Sequence, residues 1–484
     1  MPVTRDEYRW LPPVLVLTTA AALFGLHLGS SSLFIDEVYS WRASRGNLAD
    51  LTGAVRYSEV TPPLYYLILH AWLSVSGGDS EALLRAPSVL CGVALVGAVH
   101  WLGRLVAGRT AGLIAAALAT ISPIVLLYSQ QVRAYVWVML ALTIAVAAAI
   151  QATRDRSWRW TATAALAAVC AVLLHYTSLL VLAPLVAWMC CQSELAGRWR
   201  LAFAAGVGLA VAAVAPLAIV QMAQGHHDSA ETYASLTTFN ALRLAGTPFD
   251  GRASGGLMLW REIGAVVVID ALALLALSDR FRRMRERWLI VMCGLVPLLV
   301  VATASALAQP VALTRYTAVA APFILVAIGI VAAHAHRVLA IVLVAGAVVA
   351  SGAALVASQG EHGQNPDTRA AVAMAAAGWS KGDVVAGIGL LGFDGALSYY
   401  GEKLLPPGTP PVSAFGTLDE AVAAPSVFSA AERRSRLWLL ADPPLNPAQL
   451  RSALSRLSYE ATATQVFDGN APVQLVRAEP MAAP

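Results

Sequence analysis

The sequence predicts a mainly helical, polytopic membrane protein that ends in a small α/β domain, and three observations support this. The 484 residues are 58% hydrophobic and 13% charged, whereas soluble domains carry about 25% charged residues. Apolar runs of about 20 residues, the length that crosses a hydrocarbon core, recur from residue 11 to residue 357. Beyond them, short polar and apolar segments alternate with Pro/Gly-rich loops.

Clusters of arginine orient the predicted helices, because Lys and Arg accumulate on the cytoplasmic side of membrane proteins. The largest cluster is DRFRRMRERW at 279–288. With these clusters inside, the chain has about eleven spans and begins in the cytoplasm. The spans lie near 11–29, 85–103, 111–127, 135–152, 158–173, 177–192, 200–222, 256–277, 288–308, 316–333 and 338–357.

This topology divides the chain into two predicted domains. Residues 1–357 form the transmembrane domain, with 30–84 as its first extracytoplasmic loop, and 358–484 form a soluble domain on the same outer side. PPLYYLILHAWLSVSG at 62–77 is apolar but short and begins with two prolines. A span there would move every later basic cluster outside, so we expect an interfacial helix. The predicted location is the cytoplasmic membrane.

Composition also disfavours two classes of protein. The five cysteines, at positions 91, 170, 190, 191 and 293, all lie in apolar runs without metal-ligand spacing. Such cysteines behave as small buried hydrophobes, which argues against a disulfide-rich domain. The net charge is only +4, and the absence of a basic tract interleaved with aromatics argues against a nucleic-acid partner.

Two adjacent carboxylates, Asp36 and Glu37, follow the first predicted span. A carboxylate at the outer surface can accept a proton from a hydroxyl or bind a divalent cation. The structural alternative is that the pair caps the next short helix, since helix N-termini favour negative charge. For an isolated acidic pair, capping is the commoner role.

A second group of polar residues falls on the same predicted face. Arg133 stands between Tyr128 and Tyr135 in YSQQVRAY, and Arg315 precedes Tyr316 in LTRY. An arginine fork suits a phosphate group. A single such site is equally typical of an aromatic belt with a snorkelling arginine. Two of them on one face, together with His175, favour a functional cluster.

Two further features carry weaker predictions. QGHHDSAETY contains His226, His227 and Asp228, which are possible metal ligands, although adjacent histidines in a loop are more often only polar loop residues. No cofactor is certain, and a divalent metal stays open. Asp270 is an isolated acid within a predicted span. Its depth sets it apart from the other polar residues, so it is excluded from the site.

The order of these motifs resembles a known superfamily. The acidic pair is followed by TPPLYYLILHAW (61–72), LLRAPSVLCG (83–92), GRLVAGRTAGLIAAALATISPIVLLYSQQVRAY (103–135), a mid-chain His-Tyr and TRYTAVAAPFILV (314–326). Over residues 10–335 this is similar to the GT-C fold membrane glycosyltransferases. The most similar group is glycosyltransferase family 39, which includes relatives of protein O-mannosyltransferases and of the lipid A aminoarabinose transferase.

The resemblance implies an inverting glycosyltransferase that takes a sugar from a polyprenyl phosphate at the outer leaflet. It implies that Asp36 is the base and that Glu37 holds the acceptor or tunes Asp36. Donor phosphate and sugar contacts are then expected from Arg133, Arg315, Tyr128, Tyr316, His175 and Arg56. The acceptor is a glycan, a lipid or a protein. Thr61, Gln130 and Gln131 depart from residues common in the group, which weakens the transfer of individual donor contacts.

Two other readings compete with the enzyme. A transporter or flippase for a lipid-linked or small polar solute would place ionisable groups near the bilayer midplane, on discontinuous helices. Here they concentrate on one predicted face, apart from Asp270. A scaffold that binds partners through its tail would leave the acidic first loop unexplained. The enzyme is therefore the favoured hypothesis.

Overall fold

The computed structural model describes most of the chain. The described residues are 10–57, 61–223, 236–251, 259–308, 311–359, 365–389, 396–407, 413–415, 417, 420, 435–468 and 472–481. The chain divides into two compact units. The first includes 43–251 and 256–356, and the second includes 29–42 and 357–484.

Seventeen α-helices, interrupted by short 3-10 turns, precede the C-terminal region in the described part of the chain. They are α1 Leu11–Gly25, α2 Ile35–Arg45, α3 Leu48–Tyr57, α4 Leu64–Ser76, α5 Glu81–Ala107, α6 Arg109–Ile121, α7 Pro123–Ser129, α8 Tyr135–Asp155, α9 Trp158–Leu174, α10 Leu179–Cys190, α11 Gly197–Ala223, α12 Thr238–Ala245, α13 Leu259–Leu277, α14 Arg287–Leu307, α15 Thr314–Thr317, α16 Ala321–His334 and α17 Arg337–Gln359.

A helix or a helix pair occupies each predicted span. Among the described residues, six helices are long and apolar enough to cross a membrane, and α6 with α7 makes a seventh if the bent pair is one span. Helices α1, α9 and α10 are apolar but shorter. The chain is therefore a multi-pass membrane protein, while the count of about eleven spans and the orientation of the termini stay predictions.

The bend between α6 and α7 measures 62° and has a local cause. Ser122 has extended backbone angles, and Pro123 occupies the first turn of α7. The residue before a proline avoids the helical region, and a proline is accommodated in the first turn because its missing N–H has no intrahelical partner there. The result is the short helix α7, which ends at Ser129, one residue after Tyr128.

Small residues bring three helices of the first unit together. A Cβ on Gly103 of α5 would lie 2.9 Å from Cα of Gly112 on α6. A Cβ on Gly329 of α16 would lie 2.6 Å from the carbonyl oxygen of Ala111. Helices in membranes associate through such close backbone approaches, so a larger side chain at either glycine forces the helices apart.

The segment predicted to be interfacial forms α4, which has 13 residues. At 1.5 Å per residue this helix is about 20 Å long, less than the roughly 30 Å hydrocarbon core. Pro63 precedes it, and Gly77 ends it in the left-handed conformation with φ of 68°. Its length is consistent with the interfacial prediction.

The C-terminal part of the second unit, from residue 365 onward, contains a five-stranded sheet and three α-helices among its described residues. The strands are β1 Val384–Gly389, β2 Ser413–Phe415, β3 Leu437–Asp442, β4 Tyr459–Phe467 and β5 Val473–Pro480, in the order β2-β1-β3-β5-β4. The helices are α18 Thr368–Gly378, α19 Ala396–Leu404 and α20 Pro447–Arg456. β1 is parallel to β2 and β3, whereas β5 is antiparallel to β3 and β4.

Part of the first predicted loop is built into this second unit. The Leu33 amide donates a hydrogen bond to the Tyr400 hydroxyl at 2.7 Å, and Trp41 packs edge-on against Tyr399 with ring centroids 4.8 Å apart. The Asn365 side-chain amide donates to the Ser32 carbonyl at 2.8 Å. Residues 29–42 therefore group with the C-terminal region rather than with the helices on either side of them.

Candidate functional site

A buried carboxylate, Asp250, organises the polar centre of the first unit. It is 1% exposed and follows the short turn between α12 and α13. Arg243 donates to it through Nε at 3.2 Å to each oxygen and through a terminal nitrogen at 2.9 Å to Oδ2. The Thr314 hydroxyl donates at 2.8 Å, and Arg261 Nε lies 4.0 Å from Oδ1. Burying a charge is costly unless it is paired, so Asp250 holds these partners in place.

The arginines around Asp250 are supported by aromatic rings. The Arg261 guanidinium lies 4.5 Å from the centre of the Phe239 ring and 4.4 Å from that of Trp260. The Arg243 guanidinium lies 5.8 Å from the same Phe239 ring. Cation–π contacts of this kind stabilise a guanidinium with little loss of its donors. Arg243, Asp250 and Arg261 were not predicted from the sequence, because an arginine seven residues before an aspartate has no distinctive pattern.

Three aromatic side chains form a stack beside these charges. The rings of Tyr128 and Tyr135 are 4.5 Å apart, and those of Tyr135 and His175 are 5.2 Å apart. All three are nearly buried. The charges of Arg315, Asp250 and Arg243 act on the Tyr128 phenol, so the stack adjoins the Asp250 group. Helix α7, helix α8 and the α9–α10 linker each contribute one ring.

His175 is held neutral in this setting. Burial, together with Arg133 and Arg315, lowers the pKa of His175 to about 3. Nδ1 accepts a hydrogen bond from the Thr177 amide at 3.2 Å and lies 2.9 Å from the Thr177 hydroxyl. With Nδ1 accepting, the ring proton lies on Nε2. His175 is therefore a neutral hydrogen-bond donor near neutral pH, not a cation.

The structure brings together four of the residues predicted to bind the donor. Tyr128, Arg133, His175 and Arg315 are linked by the ring contacts and by the charges that act on His175. Arg133 is 8% exposed, and Arg315 is half-buried. We call these four residues, together with Tyr135 and with Asp250 and its two arginines, the arginine–tyrosine cluster; its members are Tyr128, Arg133, Tyr135, His175, Arg243, Asp250, Arg261 and Arg315.

The remaining predicted donor residues have less central positions. The Arg315 guanidinium lies 5.7 Å from the centre of the Tyr316 ring, so Tyr316 borders the arginine–tyrosine cluster. Tyr316 also packs against Leu244 and Val301. Arg56 lies in the last turn of α3 and has an exposed side chain. Its role in donor binding stays a prediction.

An apolar groove shares helix α12 with the arginine–tyrosine cluster. It has a volume of about 490 Å³ and is lined by α12, α13 and α14. Ala241, Leu244 and Ala245 line it on the same helix that carries Arg243. At α14 the lining extends to Trp288. Helix α12 thus presents a cation to the cluster and an apolar face to the groove.

The acidic pair lies at the start of α2, and its two members differ. Glu37 is 1% exposed, and its Oε2 accepts hydrogen bonds from the Phe34 amide at 2.8 Å and from Asn365 Nδ2 at 3.4 Å. A carboxylate that accepts a hydrogen bond from the backbone amide three residues earlier makes one of the two hydrogen bonds of a capping box. Glu37 therefore caps α2, as the structural alternative predicts. Asp36 is partly exposed in the same turn.

The weak metal candidates cannot be placed. His226, His227 and Asp228 lie outside the described residues. Within the part of the chain that is described, no three His, Cys, Asp or Glu side chains are grouped so that they could hold a metal ion. Asp270, excluded from the site on sequence grounds, is exposed on α13.

Comparison with known proteins supports a common architecture. Residues 60–220 match the family model described as dolichyl-phosphate-mannose-protein mannosyltransferase. No curated protein sequence matches the chain. Among solved structures, the chain is similar to ArnT from Cupriavidus metallidurans bound to undecaprenyl phosphate, with 13% identity and a TM-score of 0.57 over 97% of this chain and 98% of that one.

Two other structures match at similar levels. The oligosaccharyltransferase of Archaeoglobus fulgidus has 11% identity and a TM-score of 0.52, over 95% of this chain and 73% of that one. The mycobacterial arabinofuranosyltransferase AftD has 14% identity and a TM-score of 0.53, over 98% of this chain and 42% of that one. The resemblance that the sequence motifs indicate is thus confirmed: the chain has the GT-C fold of membrane glycosyltransferases.

Proposed function

We propose that the protein is a membrane glycosyltransferase that moves a sugar from a polyprenyl-phosphate donor to an acceptor hydroxyl, with inversion, at the outer face of the cytoplasmic membrane. One observation carries this proposal: the arginine–tyrosine cluster and the apolar groove share helix α12. A polyprenyl phosphate has an anionic head and a hydrocarbon tail, so it needs both kinds of surface joined together.

The charges of the cluster suit a phosphate. Four arginines, at positions 133, 243, 261 and 315, accompany the single carboxylate of Asp250. Asp250 offsets part of this charge and fixes Arg243 by three donor contacts. The cluster therefore keeps a net positive charge in a buried setting, where charge-assisted hydrogen bonds are strong. The neutral His175 adds a donor without adding charge.

We assign the base to Asp36, as its place in the first-loop motif implies. The acceptor oxygen attacks the anomeric carbon as the bond from that carbon to the phosphate oxygen breaks. The hydroxyl proton passes to the Asp36 carboxylate, and the electron pair of the broken bond leaves with the polyprenyl phosphate. A positioned carboxylate contributes roughly 10²–10⁴-fold to such a step. Arginines aimed at the leaving phosphate lower the barrier by stabilising its developing charge. Glu37, which caps α2, would position Asp36 in the preceding place of the same helical turn.

The test is a single-turnover assay in proteoliposomes with a panel of polyprenyl-phosphate sugars and a membrane extract as the acceptor source. We expect one donor to be consumed by the wild type, and Asp36→Asn to bind that donor but turn it over at least about 100-fold more slowly. The matched control is Asp279→Asn, at a carboxylate whose side chain is 88% exposed. It should retain full activity.

Two outcomes would contradict the proposal. If folded wild type binds no donor and transfers no sugar, the glycosyltransferase assignment is wrong. If the protein instead moves the intact donor between leaflets without breaking its glycosidic bond, the transporter or flippase is the correct alternative. A fluorescent donor that becomes accessible on the other leaflet distinguishes this result from transfer.

A further inference from the structure

A large cavity with a mixed polar and apolar lining opens at one edge of the sheet in the second unit. Its volume is about 730 Å³, within the 300–1,000 Å³ of typical ligand pockets. Gly389, at the end of β1, and Asp442, at the end of β3, line it. These two residues are partners in the parallel register, so the two strands end side by side. None of the residues assigned to the proposed transfer reaction lines this cavity.

The strand order explains why a cavity forms at this edge. β1 lies between β2 and β3 and is parallel to both. The chain leaves β1 through α19 toward β2 on one side, whereas β3 and the helix that follows it lie on the other side. Connections that diverge from neighbouring parallel strands leave a crevice at their carboxyl ends, which is where open α/β sheets bind ligands.

One face of helix α20 supplies the polar wall of this cavity. Gln449, Ser452 and Arg456 line it, and positions spaced by three and four residues share one helix face. Asn446 lies at the same rim, and its Oδ1 caps the helix by accepting from the Ala448 amide at 2.8 Å. Amide, hydroxyl and guanidinium groups thus face the cavity together.

The floor and rim are fixed by the fold. The Leu445 amide donates a hydrogen bond to the side chain of Gln474, a buried residue of β5, at 2.9 Å. Gly389 has φ of 75°, a conformation that side-chain-bearing residues rarely adopt, and a Cβ there would collide with the Asp442 carbonyl. Both features keep the mouth of the cavity open with a defined shape.

The lining chemistry selects among ligand classes. Within the described lining, Arg456 is the one cation and Asp442 the one anion, so the cavity has no net charge to attract a phosphate or a nucleic acid. The polar groups of α20 are equally unsuited to a hydrocarbon chain, which the apolar groove of the first unit accommodates. A ligand with many hydroxyls and no charge satisfies paired donors and acceptors of this kind.

We propose that this cavity binds an uncharged oligosaccharide. This proposal rests on the proposed function: the cavity captures the acceptor glycan, or the glycan part of an acceptor, on the side of the membrane where transfer takes place. Binding itself needs no donor and no catalytic step. The binding site and the transferase activity can therefore be tested separately.

The experiment uses the full-length chain in nanodiscs, without donor. The probes are mannotriose, galactotriose, arabinotriose and maltotriose, and the readout is saturation-transfer NMR followed by calorimetry. We expect at least one probe to bind. The double variant Gln449→Ala/Arg456→Gln should weaken binding of that probe at least tenfold. Ser452→Trp, which places an indole ring against the polar wall of the cavity, should abolish binding. Arg451→Gln is the matched control on another face of α20 and should bind within twofold of wild type.

Several results would overturn the inference. Absence of binding by all four probes, or binding unchanged in the double variant and in Ser452→Trp, would refute it. Tighter binding of inorganic phosphate at the same cavity would show that the ligand class is wrong. Thermal unfolding of every variant checks that its fold is intact. If a probe binds but the wild type transfers no sugar, the proposed function fails while the oligosaccharide site stands.

Discussion

Arg243 and Asp250 form a bidentate ion pair in which one carboxylate receives three contacts of 2.9–3.2 Å from a single guanidinium. The carboxylate is buried, while the arginine side chain is 23% exposed. Asp250 is thus the buried member of the pair, and Arg243 is the member whose side chain reaches solvent. Because Arg243 belongs to α12, the ion pair also fixes a helix that lines the apolar groove.

Removal of this carboxylate should destabilise the first unit. Asp250→Ala leaves Arg243 and Arg261 without their buried counter-charge, and breaking a buried ion pair costs about 3–5 kcal/mol. We expect a loss of about 3 kcal/mol, toward the low end because Arg243 is partly exposed. Thermal unfolding in detergent measures the loss. Asp279→Asn, the exposed control, should change stability by less than about 0.5 kcal/mol, and an equal effect of both variants would contradict the assigned role of Asp250.

Donor affinity should depend on the arginines of the cluster. In the proposed function Arg315 binds the donor phosphate, and a charge-assisted hydrogen bond is worth about 1.5–3 kcal/mol, so Arg315→Gln should lower donor affinity roughly 10- to 100-fold. Arg133→Gln should act in the same direction. Binding of a polyprenyl phosphate to protein in nanodiscs is the measurement. Arg282→Gln, at a side chain that is 72% exposed, is the matched control. Unchanged affinity in both cluster variants would exclude this site for the phosphate.

The neutral state of His175 predicts a pH dependence of stability. Its pKa falls from an ordinary value near 6.5 in the unfolded chain to about 3 in the folded protein. The unfolded state therefore binds the additional proton between these values, and the stability present above pH 6.5 is lost as pH falls toward 3. The loss is about 1.4 kcal/mol per pH unit.

His175→Gln should remove this component of the pH dependence. We expect the slope of unfolding free energy between pH 6.5 and pH 4 to be shallower in the variant by about 1 kcal/mol per unit. His336→Gln, at an exposed imidazole, is the control. The expectation fails if the wild type and His175→Gln have parallel curves while both remain folded.

Variants of Glu37 test whether this acid, unlike its neighbour Asp36, stabilises α2 as a helix cap. Glu37→Ala removes the acceptor for the Phe34 amide and should destabilise the second unit by about 1 kcal/mol, the typical cost of a lost cap. Glu37→Gln keeps an oxygen that can accept this bond and should cost less. Urea or thermal unfolding distinguishes the two, with Glu460→Ala as an exposed control. If both Glu37 variants are as stable as wild type, the cap contributes little.

The apolar groove predicts a dependence on chain length. Ala273 lines the groove on α13, so Ala273→Trp displaces methylene groups that contribute about 0.8 kcal/mol each when buried. The affinity for a long-chain polyprenyl phosphate should fall about tenfold, whereas that for a short-chain analogue should change little. Val266→Trp, on the same helix but outside the groove lining, is the control. Equal losses for both chain lengths would contradict the groove as the tail site.

The positions of the helices can be predicted from the sequence because each depends on a local run of apolar residues. The length of the apolar runs predicts where the spans fall, and a helix or a helix pair occupies each predicted span. The bend before Pro123 was not predicted, although a proline in that position gives a local reason for it. Tyr128, Arg133, His175 and Arg315 were predicted as a group from their common face. They come from α7, the α7–α8 linker, the α9–α10 linker and α15, and no short motif encodes contacts among such separate segments.

Composition and pattern alone therefore determine that this is a multi-pass membrane protein with a mixed C-terminal region, and the order of its motifs resembles that of the GT-C glycosyltransferases. Tertiary structure decides which polar residues meet. Asp250, Arg243 and Arg261 form an ion-paired group only because folding buries a carboxylate, which the arginines of the two adjacent helices, α12 and α13, then neutralise. Likewise, residues 29–42 join the C-terminal unit through contacts with Asn365 and Tyr400, more than 300 positions away in the chain. Such pairings depend on three-dimensional proximity, and hydrophobic periodicity carries no information about them.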